Sequence, residues 1–446
     1  MKTTNSPDAS SYVLVSVLLQ SERLTEDVEL RENVTDVDIF EHLDKPYLTA
    51  QILFMDNEYV LEQIDILGAE RITITVHSMQ DNTVPITKTF YISKVLNTEK
   101  SGDNIQTVAF HLIEDIGYIS NLVNINRHYS GKSSKIAEKI ASNFLDRELA
   151  HGSTDKQTMD VIIPNLNPSQ ALKWIANRTT TNDGYPFYVY STLVGNKIQY
   201  RDLGAILSSP VINAEMTYKY SSQATKSVKP DVRRRSIKSH NFSNNMENLF
   251  TVIQKGLVGS RYEYVETIND KQKSFHFDVV KDLYKPLVSA GVMSQNQSNY
   301  AFSEKYVHDN KSFNKHSTRT IAQLRGSGAY RETDQDTEFK LSFGETRNTA
   351  EYKLDIISRA MDNALKKNPL TIIVDGVDFI DGTSHATIGN NLRVEFLVSN
   401  PEPGKGENQI DAKKSGDYLI YSTRHMFKKE TYDLALTCVK IGNYKR

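Results

Sequence analysis

The chain has 446 residues, with 53 Lys and Arg against 55 Asp and Glu, a net charge of −2 that leaves no global positive field for coating nucleic acid or an anionic membrane. Hydrophobic residues at 39%, charged residues at 24% and aromatics at 9% describe a globular chain of roughly two to four domains and exclude disorder and coiled coil. Cys438 is the only cysteine, so an intrachain disulfide and a cysteine-built zinc or iron–sulfur site are excluded.

The first apolar run, Tyr12 to Leu19, is broken by Ser16 and follows a polar start in which Lys2 is the only basic residue. It is too short for a membrane span and has the wrong flanks for a signal peptide, so a reducing compartment is expected. It reads as a strand, as does Tyr47 to Met55. Arg71 to Ser78 alternates Ile72, Ile74 and Val76 with Thr73, Thr75 and His77, and Thr107 to Leu112 repeats the pattern. Period-two alternation puts the apolar set on one sheet face, which predicts a meander or barrel. His77 and His111 fall on the outer face and read as surface imidazoles.

Two helices follow. Ser133 or Ser134 is placed to cap a segment with Ile136, Ile140 and Phe144 on one stripe, and Asn167-Pro168-Ser169-Gln170 supplies an N-cap and a proline at the first turn. Strand signals return at 185–192 and 197–201. In the second half, 249–258, 261–268, 371–374, 391–397, 417–426 and 432–439 read as strands, and a helix is expected near 350–366, capped by Asn348 and stopped before Pro369. Between Met293 and Lys340 there are only four Val, Ile, Leu or Met residues, too few for a core, so that stretch is expected to be loop-rich or held by a partner.

The predicted fold class is mainly β with α insertions (α+β): two tandem β-barrel-like domains, each interrupted by a helical or loop-rich insertion. The expected bounds are 1–118 with 186–240 for the first, 119–185 for the helical insertion, 241–278 with 341–446 for the second, and 279–340 for a polar insertion.

Two charge blocks stand out. Glu22 to Asp44 holds nine acids, among them Glu22, Glu26, Asp27 and Glu29, against Arg23 and Arg31. Lys226, Lys229, Arg233, Arg234, Arg235 and Lys238 stand against Asp231. Opposite patches on one chain suit assembly of identical subunits, although charge runs are also the ordinary composition of solvated loops.

Catalytic signatures are sparse. The eleven histidines include no His-Glu-x-x-His and no pair at helical spacing, and no glycine run has the phosphate-cradling pattern. Gly382-Thr383-Ser384-His385-Ala386 has the small residues of a nucleophile elbow without the following helix, and reads as a turn. Arg233–Arg235 lacks the interleaved aromatics of a base-stacking surface. No catalytic, cofactor or metal residue is assigned, and the chain is read as a non-enzyme.

A series of segments stands in a distinctive order: Val37 to Ala50, then Gly68-Ala69-Glu70-Arg71-Ile72-Thr73-Ile74, Tyr129 to Ala137, Pro168 to Ala176 leading into Tyr185 to Tyr190, Gly416 to Phe427, and Tyr432 to Thr437. That order resembles the baseplate hub proteins of contractile-tailed bacteriophages. Ala50 stands where the family commonly has glycine. The resemblance implies a homotrimer of two similar β-barrels per subunit, forming a virion ring between the tail tube or tube-initiator proteins and a central spike. It also implies baseplate wedge contacts, a channel that passes genome DNA, and assembly in the host cytoplasm. Two other readings stay open: a tail-associated cell-wall hydrolase using a convergent carboxylate pair, and a carbohydrate-binding adhesin for which 23 Tyr and Trp174 supply stacking surfaces.

Overall fold

The computed structural model describes residues 12–56, 66–79, 84–100, 106–152, 158–212, 217–220, 235–242, 249–266, 271–289, 303–325, 349–366, 369–376, 379–380, 387–398, 409–411, 414–428 and 431–443. Lys226, Lys229, Arg233, Arg234, Asn348 and the segment Gly382 to Ala386 lie outside these residues.

The first unit is built from β1 (Tyr12–Gln20), β2 (Val28–Glu29), β3 (Val34–His42), β4 (Thr49–Asp56), β5 (Arg71–Ser78), β6 (Ile86–Lys100) and β7 (Gln106–Glu114). They pair in the order β3-β4-β7-β6-β5-β1-β2. β1 and β2 pair with Leu18 opposite Glu29, the Leu30 N–H donates to the Val17 carbonyl at 2.8 Å, and the chain then enters β3, so the sheet curls back on its own start. Val37, Ile39, Ile52, Phe54, Ile72, Ile74, Phe90 and Phe110 fill its interior, as alternation requires.

β3 and β6 were not legible as strands. In β3 the acids Asp36 and Asp38 alternate with buried Val37 and Ile39, so these two acids of the run lie on the outer face of a strand and not in a solvated loop. In β6 bulges between Ile92 and Lys94 and between Val95 and Asn97 break the period that would have disclosed it. Gly68 sits at φ +93°, and a Cβ there would lie 3.3 Å from the Ile92 carbonyl. The buried Glu70 carboxylate accepts the Gly68 N–H at 2.9 Å and the Leu67 N–H at 3.1 Å. The Gly-x-Glu landmark is thus a left-handed turn and the acceptor that holds it.

Next come α1 (Asp115–Ser120), β8 (His128–Lys132), α2 (Ser133–Leu145), β9 (Leu149–His151), β10 (Thr158–Ile162), α3 (Pro168–Ala176), β11 (Phe187–Tyr190), β12 (Ile198–Asp202) and α4 (Leu203–Leu207). Asn167 caps α3 as expected, its side chain accepting the Gln170 N–H at 2.8 Å. For α2 the cap position is Lys132, with no side-chain cap, and Ser133 and Ser134 are buried inside the helix. Ser133 instead accepts the Tyr200 hydroxyl at 3.1 Å, tying the helix to β12. These helices share a second core with Phe187, Val189, Ile198 and Tyr200.

The rest comprises β13 (Tyr218–Tyr220), β14 (Ser239–Phe242), α5 (Leu249–Gln254), β15 (Gly259–Glu266), β16 (Lys271–Asp278), a π-helical turn (Val279–Tyr284), α6 (Lys285–Ser289), β17 (Val307–His308), β18 (Lys311–Ser312), β19 (Thr320–Arg325), α7 (Thr349–Leu365), β20 (Pro369–Asp375), β21 (Asn391–Phe396), β22 (Gly416–Lys428) and β23 (Tyr432–Asn443). A second curled set runs β14-β20-β23-β22-β21-β13. The Lys219 N–H donates to the Arg235 carbonyl at 3.0 Å and the Ile237 N–H to the Lys219 carbonyl at 2.9 Å, which lays β13 beside the lead-in to β14. The two sets are one continuous sheet because β22 pairs with β3 along Ser422–Lys428. The molecule is therefore mainly β with α insertions.

Several pairings fall across the expected bounds. Of 186–240, β11 pairs with β12 and β12 with β9 of the helical insertion, while β13 and β14 pair with β21 and β20 of the C-terminal half. β15 and β16 form a separate three-stranded sheet with β19 from the polar insertion. The predicted strand over 249–258 is overturned: Leu249–Gln254 is a helix, ended by Gly256 at φ +71° with the Leu257 N–H returning to the Val252 carbonyl at 3.0 Å. The Lys255-Gly256 pair was the helix-stop signal in an apolar run too short for periodicity to decide.

Candidate assembly site

Where β3 meets β22 the two sheet halves are stitched on both faces. Outside, Arg424 donates to Asp38 at 2.6 Å, and its guanidinium lies 5.7 Å from the centroid of the Phe40 ring. Inside, His425 places Nδ1 2.8 Å from the Tyr432 hydroxyl and Nε2 3.4 Å from a Glu41 carboxylate oxygen, and the Leu193 N–H donates to the other Glu41 oxygen. The order carboxylate, imidazole, hydroxyl is that of an activated nucleophile. Its hydroxyl is sealed, however: Glu41, His425 and Tyr432 are 1%, 0% and 1% exposed. Burial pushes the Tyr432 hydroxyl well above its ordinary range, and the Glu41 charge adds to that. What this arrangement can do chemically is hold the seam.

The tip between β11 and β12 enters the end of the first curled unit. Leu193 is buried in the main core, the Ser191 hydroxyl donates to the Pro46 carbonyl at 2.7 Å, and Lys88 donates to the Gly195 carbonyl at 2.6 Å. Lys88 also stands 3.5 Å from Glu114, whose other oxygen accepts the Leu48 N–H at 2.7 Å. Together with the Leu193–Glu41 bond, these polar ties fix the insertion to the strands it interrupts.

A third junction gathers residues from five elements. Tyr188 donates to Asp362 at 2.6 Å, and Lys366 pairs with Asp362 at 2.7 Å and lies 4.9 Å from the Tyr421 ring. His42 meets that ring edge-on at 4.9 Å and bonds Asp44, which Lys173 approaches to 3.6 Å. Burial alone would raise the Asp44 carboxyl, but the bond and charge of His42, with Lys173 and Lys366, outweigh it and hold it at about 2. A folded-state value below the unfolded one gives stability that is present above about pH 4 and lost as pH falls toward 2. Asp44→Asn is therefore expected to flatten the acid limb of the melting temperature, measured by circular dichroism between pH 5 and pH 2.5.

The sequence-predicted interaction residues fare differently. Glu22, Glu26, Asp27 and Glu29 are exposed, but Asp27 accepts from Gln20 at 2.8 Å and Glu29 accepts the Val17 N–H at 2.7 Å. Lys238 is paired with Asp433, and Arg235 is half-buried with its carbonyl bonded to Lys219. No acidic–basic contact between the two blocks is recorded among the described residues. His111 is half-exposed and bonded to the Ser93 hydroxyl at 2.6 Å, with burial drawing its imidazole below the ordinary range. Trp174 is half-buried beneath the Arg178 guanidinium at 3.8 Å, which occupies the ring face an adhesin would need. Among the described residues no group of three or more His, Cys, Asp or Glu is placed to hold a metal, and no helix is long and apolar enough to cross a membrane. The Glu41–His425–Tyr432 network had no sequence signal, because its members are 384 and seven residues apart.

No family model matches the chain, and no curated protein matches it. Two solved structures share its fold over nearly its whole length. One is the tail protein from Neisseria meningitidis MC58, 12% identical with a TM-score of 0.52, covering 96% of each chain. The other is the 43 kDa tail protein of prophage MuSo2 from Shewanella oneidensis, 10% identical with a TM-score of 0.51, covering 95% of this chain and 98% of that one.

Proposed function

We propose that this chain is a structural hub of a contractile-tail baseplate, a homotrimer that joins the tail tube to a cell-puncturing spike. The observation that carries the reading is the pair of curled strand units stitched at β3–β22, in a fold shared nearly end to end with two tail proteins, one of them from a prophage. Two similar units per subunit let three chains present six similar surfaces, which is how a trimer meets a sixfold tube. The sealed Glu41–His425–Tyr432 network and the three polar junctions favour a rigid connector over an enzyme.

Tail tube or tube-initiator proteins, a central spike and baseplate wedge proteins are the partners of such a ring, with genome DNA passing through it in the virion. The basic block Lys226–Lys238 supplies one contact surface, and the exposed acids Glu22, Glu26, Asp27 and Glu29 of a neighbour supply its complement. Each exposed pair contributes only about 0–1 kcal/mol, so the block acts as a cluster and weakens with salt.

The test is the mass of the purified chain in solution, expected at three times 50.6 kDa. A monomer at every concentration overturns the hub reading. Arg233→Ser with Arg234→Ser, which spares half-buried Arg235, is expected to weaken the trimer at low salt; an unchanged trimer removes the basic block from the interface.

A further inference from the structure

The three-stranded sheet β16-β15-β19 is open along both edges among the described residues. β19 lies parallel to β15 with Arg261 opposite Thr320, and the Arg261 N–H donates to the Arg319 carbonyl at 2.8 Å. In a parallel ladder alternate residues bond the same neighbour, so Arg319, Ile321, Gln323 and Arg325 face β15. The N–H and C=O groups of Thr320, Ala322 and Leu324 point outward. β16 is antiparallel to β15, and the Val279 N–H donates to the Val258 carbonyl at 3.0 Å, which sets the phase of that ladder. Phe277, Phe275 and Lys273 then bond β15, and the backbone groups of Gln272, Ser274 and His276 point outward.

Neither edge is blunted by a bulge or a proline. Both pairings run without a register shift, unlike β6, and no proline interrupts either strand. Thr320, Ala322, Gln272, Ser274 and His276 are all exposed. An open parallel edge is unusual, because parallel strands are normally covered.

We infer that these two edges are the two halves of one contact, in which β19 of one copy of this chain adds to β16 of the next. The occupant follows from the sheet itself. It offers three outward residues on each edge, and β19 and β16 run in opposite directions, so continuing the sheet into a second copy pairs them antiparallel, the more stable ladder. The contact is head-to-tail, leaves each subunit with one further edge to satisfy, and closes in a cyclic oligomer. It rests on the proposed homo-oligomer and names a surface for it that is separate from the charged blocks.

The chain's own Cys438 is buried, which makes cysteine cross-linking clean. Ala322→Cys and Ser274→Cys are prepared as separate full-length variants and oxidised alone and mixed, with products read on a non-reducing gel. A covalent dimer in the mixture and only monomer in each variant alone is the expected result. Ala322→Pro removes an outward N–H without touching the β15 ladder, so it is expected to keep the wild-type circular dichroism spectrum and to lower the oligomer mass. If the wild type is trimeric while the mixture gives no cross-link and Ala322→Pro stays trimeric, the edge contact is wrong and the hub reading stands. A monomeric wild type with no cross-link overturns both.

Discussion

Replacing His425 by Ala is expected to lower unfolding stability by about 3–5 kcal/mol, the range for truncating a large, fully buried ring and leaving a cavity. The side chain is fully buried between Glu41 and Tyr432, so its removal strands a carboxylate and a hydroxyl where water cannot reach. It also opens a cavity beside Phe427, whose ring stacks on Tyr432 at 4.4 Å. Tyr432→Phe keeps the shape and removes the hydrogen-bond partner of Nδ1, so about 1–3 kcal/mol is expected there. In a double variant, Glu41→Gln with His425→Ala, part of the loss is expected to return, because an amide is less costly than a carboxylate to leave in a dry cavity. Urea unfolding followed by circular dichroism measures all three. Equal stability of His425→Ala and wild type would remove the network from the seam.

How far the sequence disclosed this molecule depended on the reach of each signal. β5 and β7 were legible because alternation is local: one face apolar, one face polar, with no bulge. α3 was legible because Asn167 and Pro168 write its start in adjacent residues. α5 was missed, since six residues give too little period to separate helix from strand, and only Gly256 marked its end. Pairing was the harder problem. β13 and the start of β14 fall within the bounds expected for the first unit, yet their partners β21 and β20 come more than 125 residues later, and no local pattern records a partner. The acidic run shows the same limit. Its charge is plain, but whether Glu41 faces water or the core depends on β3 being a strand and on His425 arriving opposite it.

Replacing Lys88 by Met is expected to cost about 3–5 kcal/mol near neutral pH and distinctly less in acid. Lys88 and Glu114 are 6% and 3% exposed, and Lys88 is the cation beside that carboxylate while it also holds the Gly195 carbonyl of the inserted tip. Burial already pushes the Glu114 carboxyl above its ordinary range, with the Lys88 charge opposing. Without that charge the folded-state value rises further above the unfolded one. A carboxyl with a raised folded-state value contributes stability that is present at low pH and lost as pH rises through that value. The stability of Lys88→Met is therefore expected to fall as pH climbs from about 5 toward 8. Adding Glu114→Gln removes the titrating group while keeping an oxygen for the Leu48 N–H, so the double variant is expected to recover part of the loss and to lose the pH slope. Urea midpoints for the single and double variants at pH 5 and pH 8 decide it: a slope that survives Glu114→Gln assigns the titration to another group and ends this account of the pair.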